Sequence, residues 1–186
     1  MIKSTLKLVA AIVLFASCNS YEKAPSGMMY KITHGSGNQK KLEQGQFVKM
    51  HIEYKLKSKD TTLSSTFGLI PVYFPVDTAN LGKYTFTEIL MQCKKGDKIE
   101  FSLSLDTLAK MGVLQLNEIF KTKDIVLGKA EILDVFTDVT KVDADYKKET
   151  EAEKKREIDA IKAHLAKNKI TAVESPEGVF VVLKEA

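Results

Sequence analysis

The sequence predicts an α+β fold, an antiparallel sheet of several strands with one short helix laid across it. Phe47 to Lys57 alternates strictly, with Val48, Met50, Ile52, Tyr54 and Leu56 on one side and Lys49, His51, Glu53, Lys55 and Lys57 on the other. Asp97 to Leu105 repeats the pattern, with Ile99, Phe101, Leu103 and Leu105 apolar and Glu100, Ser102 and Ser104 polar. Between them, Thr85 to Lys95 has helical spacing. Strands with one apolar and one polar face belong to an antiparallel sheet covered on one side only. A helix across that side completes an α+β layout.

The elements follow in chain order. Met1 to Cys18 carries Lys3 and Lys7, an unbroken apolar run from Leu8 to Phe15, and small residues before Cys18. Spanning a membrane takes about 20 apolar residues, so this run is too short. It resembles a bacterial lipoprotein signal with its lipobox. That resemblance implies a signal peptide over 1–17, acylation of Cys18, and a polar tether over 18–26 broken by Pro25. Strand alternation begins at Met28. Thr85 is placed as an N-cap, with Glu88 three residues on as a capping box. Phe86, Ile89, Leu90 and Cys93 share one face, basic residues fill the last turn, and Gly96 stands at C′. Cys93 is therefore expected as a core thiol. Ile125 to Phe136 is a further strand of looser alternation.

The charged stretch 143–168 is different in kind. Its first half has no apolar stripe, and apolar residues return only at Ile158, Ile161 and Leu165. It predicts a long helix with a solvated first half and a packed second half, a linker in preference to a dimerisation helix. In the terminal segment 169–186, Ser175 to Leu183 weakly echoes Ser26 to Ile32, each a polar turn, a glycine and an apolar strand. Val179 to Leu183 is expected either to pair with Met28 to Thr33 or to dock on Ile158, Ile161 and Leu165.

Composition narrows the function. The formal charge of +4 falls to +2 once Lys3 and Lys7 leave with the leader, and Arg156 is the only arginine. Bidentate phosphate and base recognition leans on arginine, so no nucleic-acid partner is expected. With Cys18 acylated, Cys93 has no disulfide partner. His34, His51 and His164 lack metal-ligand spacing and are expected to be solvated. There is no Gly-rich phosphate loop, no GxSxG and no acid/base pair. Neither a cofactor nor a metal is expected.

From residue 71 specific words enter. Pro71-Val72-Tyr73-Phe74-Pro75-Val76 resembles the PxxFPL segment of bacterial FKBP-type peptidyl-prolyl isomerases, and Phe86-Thr87-Glu88-Ile89-Leu90 resembles the WTEAL helix start that follows it there. Gly96 to Ser104 is similar to the glycine and strand after that helix, and Gly45 to His51 to the G-x-x-V-x-x-H-Y strand. Gly27 to Ile32 with Gly35 and Gly37 resembles the opening of secreted members, and Lys129 to Leu133 the closing strand. The resemblance spans about residues 26 to 137 and implies a domain over 27–138, a curved sheet of about five strands around the short helix.

In that family an apolar, largely aromatic pocket takes up the proline ring and strips water from the preceding carbonyl. Rotation of a prolyl amide crosses roughly 18–20 kcal/mol. A dry site that disfavours the planar, polar resonance form lowers that barrier without base or nucleophile. The resemblance places Tyr54, Leu63, Phe74, Phe86 and Leu103 on the pocket wall. It also has departures. The family tyrosine after the strand histidine is Ile52, with Tyr54 two residues on. The FDSS segment reads Thr62-Leu63-Ser64-Ser65, without the aspartate. The floor tryptophan is Phe86, and the flap from Asp106 to Lys123 offers Met111, Val113, Leu114, Leu116 and Phe120 in place of proline and tyrosine. The expectation is a weak prolyl isomerase on proline-containing segments of client proteins. Acylated Cys18 would hold it on the periplasmic side of the bacterial envelope, at the outer in preference to the inner membrane. The alternatives are a non-catalytic FKBP-like chaperone or binder, and a structural accessory lipoprotein of an envelope complex such as gliding or secretion machinery.

Overall fold

The structure, a computed structural model, describes residues 20–182. Cys18 and the leader, like Leu183, lie outside them. Seven strands build one antiparallel sheet: β1 (Glu22–Lys23), β2 (Met29–Thr33), β3 (Phe47–Leu56), β4 (Thr61–Ser65), β5 (Val72–Pro75), β6 (Lys98–Ser104) and β7 (Ile125–Phe136). Their order is β1-β2-β6-β7-β3-β4, and β5 shares the outer edge with β4 by pairing with the first half of β3. The short strands β1, β4 and β5 carry the count beyond the expected five. The fold class stands as expected: a curved antiparallel sheet around one short helix, with a charged C-terminal helix and a terminal strand.

The period-2 alternation sets the core. Val48, Met50, Ile99, Phe101 and Ile132 are buried, and Ile52 and Tyr54 pack half-buried against them. Met28, Tyr30, Val76, Leu105 and Val126 complete the cluster. The helix over this face is a 3₁₀ helix, Phe86–Gln92, which buries Phe86, Thr87, Ile89 and Leu90. It is shorter than expected and stops before Lys94 and Lys95. Thr85 is the N-cap, accepting from the Thr87 N–H at 3.2 Å. Glu88 does not close a capping box on Thr85. Its carboxylate instead accepts from the Ser26 N–H (2.8 Å), the Ser26 hydroxyl and the Tyr84 N–H (3.3 Å), tying the turn before β2 to this helix. Cys93 is fully buried, and burial pushes its thiol pKa up to about 12, the state of a core thiol.

One expectation for a polar group needs correction. His51 is half-buried rather than freely solvated: its ring lies 5.1 Å from that of Phe67 and its Nδ1 is 3.3 Å from Thr66 Oγ1. His34 is exposed, as expected, with its Nδ1 2.9 Å from Asp97. The Asp97 carboxylate is fully buried and also accepts the Gly35 and Lys94 N–H groups, so each of its oxygens has a donor.

The larger correction concerns the C-terminal helix. Helix α2 runs Val139–Asn168, capped by Asp138, which accepts the Lys141 N–H at 2.9 Å. Its first half is docked on the sheet, contrary to expectation, while its second half packs as expected, against the terminal hairpin. Lys49, expected on the wet face of β3, is buried beneath it and donates to Asp145 (2.6 Å) and Glu149 (2.8 Å). The Tyr73 hydroxyl donates to the same Asp145 oxygen at 2.6 Å, and the Tyr73 ring meets Tyr146 edge-on at 5.8 Å. The second face of the sheet is therefore covered near β3 and β5. Charged side chains at one end of the helix did not mean solvation, because the sheet presents their counter-charge.

Beyond α2, β8 (Val173–Glu174) and β9 (Phe180–Val181) form a small hairpin. It folds back on the second half of α2. Lys162 pairs with Glu174 at 2.9 Å, and Gly178 stands so close to Ile158 that a Cβ there would lie 3.1 Å from Ile158 Cδ1. Of the two arrangements expected for the tail, docking near Ile158 is the one found. Among the described residues β9 pairs with β8 and not with β2.

The Lys49 cluster makes a pH-dependent prediction. Burial alone raises the Asp145 pKa, but the bonds from Lys49 and Tyr73 and the ammonium charge hold it net below the ordinary value. A lowered carboxylate contributes stability above its unfolded pKa of about 4 and loses it as pH falls through the folded value. Lys49, whose pKa burial lowers but the two carboxylates raise on balance, loses its contribution only at pH above about 10.5. Lys49→Met should destabilise by about 1–3 kcal/mol at pH 7, between exposed and buried ion pairs. Urea unfolding of both proteins should show that difference shrinking below about pH 4.

Candidate functional site

The site begins with a glycine. Across β6, β7 and β3, Phe101 faces Gly128, and Gly128 faces Tyr54. A Cβ on Gly128 would lie 2.0 Å from Phe101 Cζ, so the ring occupies the space over the glycine. There it meets Tyr54 edge-on at 5.8 Å and Phe86 at 5.9 Å, and Phe86 in turn meets Phe74 at 6.1 Å. This aromatic row joins the sheet, the 3₁₀ helix and β5.

At the Tyr54 end the row opens into a cleft of about 380 Å³. Tyr54, Leu103 and Val126 line it from the sheet, and Leu63 and Ser64 from β4. The register of β3 on β4 passes from Tyr54–Ser64 to Lys55–Thr62, leaving Leu63 unpaired as a bulge. Bulges re-aim a side chain, and this one turns Leu63 to the cleft. Helix α1 (Leu105–Lys110), capped by Ser104, contributes Leu108, and the turn after it Met111 and Val113. The fourth wall is Lys83, Tyr84 and Thr85.

Tyr84 is in the left-handed region, with φ +58°. A non-glycine residue there costs on the order of 1–3 kcal/mol and persists only where its surroundings hold it. They do: Tyr84 Oη accepts the Ser104 N–H at 2.9 Å, the Tyr84 N–H is held by Glu88, and the Gly82 N–H donates to Thr87 Oγ1 at 3.1 Å. Tyr54 is held differently. Burial raises its hydroxyl pKa, and among the described residues that hydroxyl has no hydrogen-bond partner. The lining contains no carboxylate, histidine or thiol. Among the described residues no group of histidine, cysteine or acidic side chains is arranged to hold a metal. The cleft presents a mostly apolar surface with two phenols and an ammonium. It has no residue able to serve as a general base at neutral pH.

Of the five wall residues named from sequence, Tyr54, Leu63 and Leu103 line the cleft. Phe74 and Phe86 do not. Counting from Tyr54 at the cleft, Phe101 is one ring behind, Phe86 two and Phe74 three, so Phe74 and Phe86 support the Tyr54 wall through Phe101. Met111 and Val113 of the flap join the lining, whereas Leu114 and Phe120 pack half-buried against the core. Tyr84, Leu108 and Val126 were missed as site residues. Val126 had a signal in the β7 alternation, but Tyr84 had none, because its inward turn depends on a strained backbone. Cys18 lies outside the described residues.

No family model matches the chain, and no curated protein matches it. Among solved structures it is similar to FkpA from Escherichia coli, at 22% identity over 66% of this chain and 54% of that one, with a TM-score of 0.46. It is also similar to a peptidyl-prolyl cis-trans isomerase from Pseudomonas syringae pv. tomato (13% identity, 62% and 80% coverage, TM-score 0.45). A third likeness is to AtFKBP13 (15% identity, 62% and 98% coverage, TM-score 0.44). The chain spans about half the length of FkpA. All three likenesses are loose.

Gly128→Ala tests the foundation of the site. The methyl group must displace the Phe101 ring or push β7 from β6, and overpacking of this kind costs about 1–3 kcal/mol or more. Thermal unfolding should show the loss. The near-ultraviolet circular dichroism of the aromatic row should change with it.

Proposed function

We propose that this protein is a prolyl-peptide binding module with weak peptidyl-prolyl cis-trans isomerase activity, tethered to the bacterial envelope through acylated Cys18. The observation that carries the activity is the cleft: roughly the size of a small-ligand pocket, apolar on most of its walls, and without base or nucleophile. Amide rotation needs neither. A proline ring among Leu63, Leu103, Leu108 and Val126 would leave the preceding carbonyl in a poorly solvated place, where the charge-separated resonance form is disfavoured and the barrier falls. The unpartnered Tyr54 hydroxyl supplies a donor that steadies the twisted amide. The words resembling FKBP-type isomerases fall on these same walls and on their support.

Non-catalytic binding is the second reading, favoured by one observation. The segment that carries an aspartate in the family contributes only Leu63 and Ser64, so the cleft has no carboxylate to orient the amide. The tether is proposed from the leader alone. Among the described residues no helix is long and apolar enough to cross a membrane, and a diacylated cysteine would supply stable anchoring without one.

Two measurements test the proposal. In a protease-coupled assay on a tetrapeptide with a large apolar residue before proline, micromolar protein should exceed the spontaneous rate. Leu103→Ala should lower kcat/KM about tenfold, near the loss expected for removing one buried apolar contact of the substrate. Binding without catalysis would establish the second reading. Separately, Cys18→Ser should leave an unprocessed precursor that takes up no labelled palmitate. Unchanged labelling would remove the anchor.

A further inference from the structure

Resting on the prolyl-peptide reading of the cleft, we infer that it selects segments carrying an acidic residue beside the apolar-proline pair, with Lys83 as the specificity-determining residue. Lys83 is the one formally charged side chain in the lining. Among the described residues its ammonium has no carboxylate within salt-bridge distance, a state shared by many surface lysines but by no other cleft residue. No acidic side chain shares the cleft with it.

Its root is fixed on both sides. Gly82 is held by Thr87, and Tyr84 by Glu88 and Ser104. The backbone at 83 therefore stays at the rim while the side chain remains exposed and free to reach a ligand. The walls next to it, Leu63, Leu108, Met111 and Val113, are apolar, so field lines from the ammonium are poorly screened on the cleft side. A peptide that seats its proline in the cleft places its flanking side chains at this rim. An acidic flank gains a counter-ion there, a neutral flank gains nothing, and a lysine flank is repelled.

The test compares three peptides with Leu-Pro at their centre, flanked by Glu, Gln or Lys, with binding and isomerisation measured on the full chain at low and high salt. The expected order is Glu above Gln above Lys, with about a threefold step for an exposed pair that shrinks as salt screens it. Lys83→Gln should bring the Glu to Lys ratio to about one. Lys83→Glu should invert it, and circular dichroism should show both variants folded. Equal handling of Glu and Lys peptides by the wild type, or a preference that survives Lys83→Gln, overturns the inference while leaving the prolyl reading intact. If none of the three peptides is bound or isomerised, the prolyl reading itself fails and this inference with it.

Discussion

The ring of Phe101 lies over Gly128, and the rest of the domain is arranged around that contact. A glycine in a strand lets a neighbouring side chain approach the backbone closely. A methyl group at Gly128 would come within 2.0 Å of the ring. Because the ring leans across β7, it reaches Tyr54 on β3 and Phe86 on the 3₁₀ helix, so one side chain bridges three elements. Aromatic pairs add about 0.5–1.5 kcal/mol each beyond their buried area, and this row has three of them. The contact that buries Phe101 thus also positions the cleft wall, since Tyr54 packs on its ring.

The opposite face of the sheet follows a different rule. Near β6 and β7 it is a ladder of charges, with Lys129 paired to Glu53 at 2.8 Å and Lys98 to Glu131 at 3.5 Å, and it needs no cover. Near β3 and β5 it is closed by α2, whose attachment is electrostatic and aromatic more than aliphatic. Lys49, Asp145, Glu149 and Tyr73 satisfy one another there, and leaving any of them buried without the others would be costly. A helix attached through such a cluster has a defined orientation, because the bonds are directional, even though no residue of it is fully buried.

The long strands and the apolar core were legible because period-2 alternation leaves little freedom once one face is buried. The 3₁₀ helix was legible from its apolar face and its Thr85 cap, and the core position of Cys93 followed. The short strands β4 and β5 were not, since four or five residues carry too little periodicity and are set by pairing with β3. Bulges defeated alternation at two places. The extra residue Leu133 in β7 shifts its register against β3 beside Lys49, and Leu63 shifts β4 beside Tyr54. The docking of α2 was illegible for a further reason. A charged stripe on a helix looks solvated until the sheet is known to hold a lysine and a tyrosine beneath it. The aromatic row was visible as separate words, but which ring faces the cleft and which supports it depends on Gly128, a residue that alternation passes over.

Tyr84 shows how the strained part of the site is held in place. Its backbone conformation is unfavourable by itself, and two hydrogen bonds of its own, to Glu88 and from Ser104, offset the strain by fixing the residue in place. Through its N–H it reaches Glu88, and Glu88 grips Ser26, where the chain leaves the segment preceding the domain. Through its hydroxyl it reaches the N–H of Ser104, whose own side chain caps α1 by accepting from Thr107 at 3.4 Å. One connected set of polar contacts therefore runs from the chain's entry into the domain, across the cleft wall, to the helix that carries Leu108 and Met111. Glu88 ties the cleft wall to the chain's entry, and Tyr84 ties that wall to the start of α1. Both roles fall to residues that contribute nothing to alternation, and both need polar partners far away in sequence.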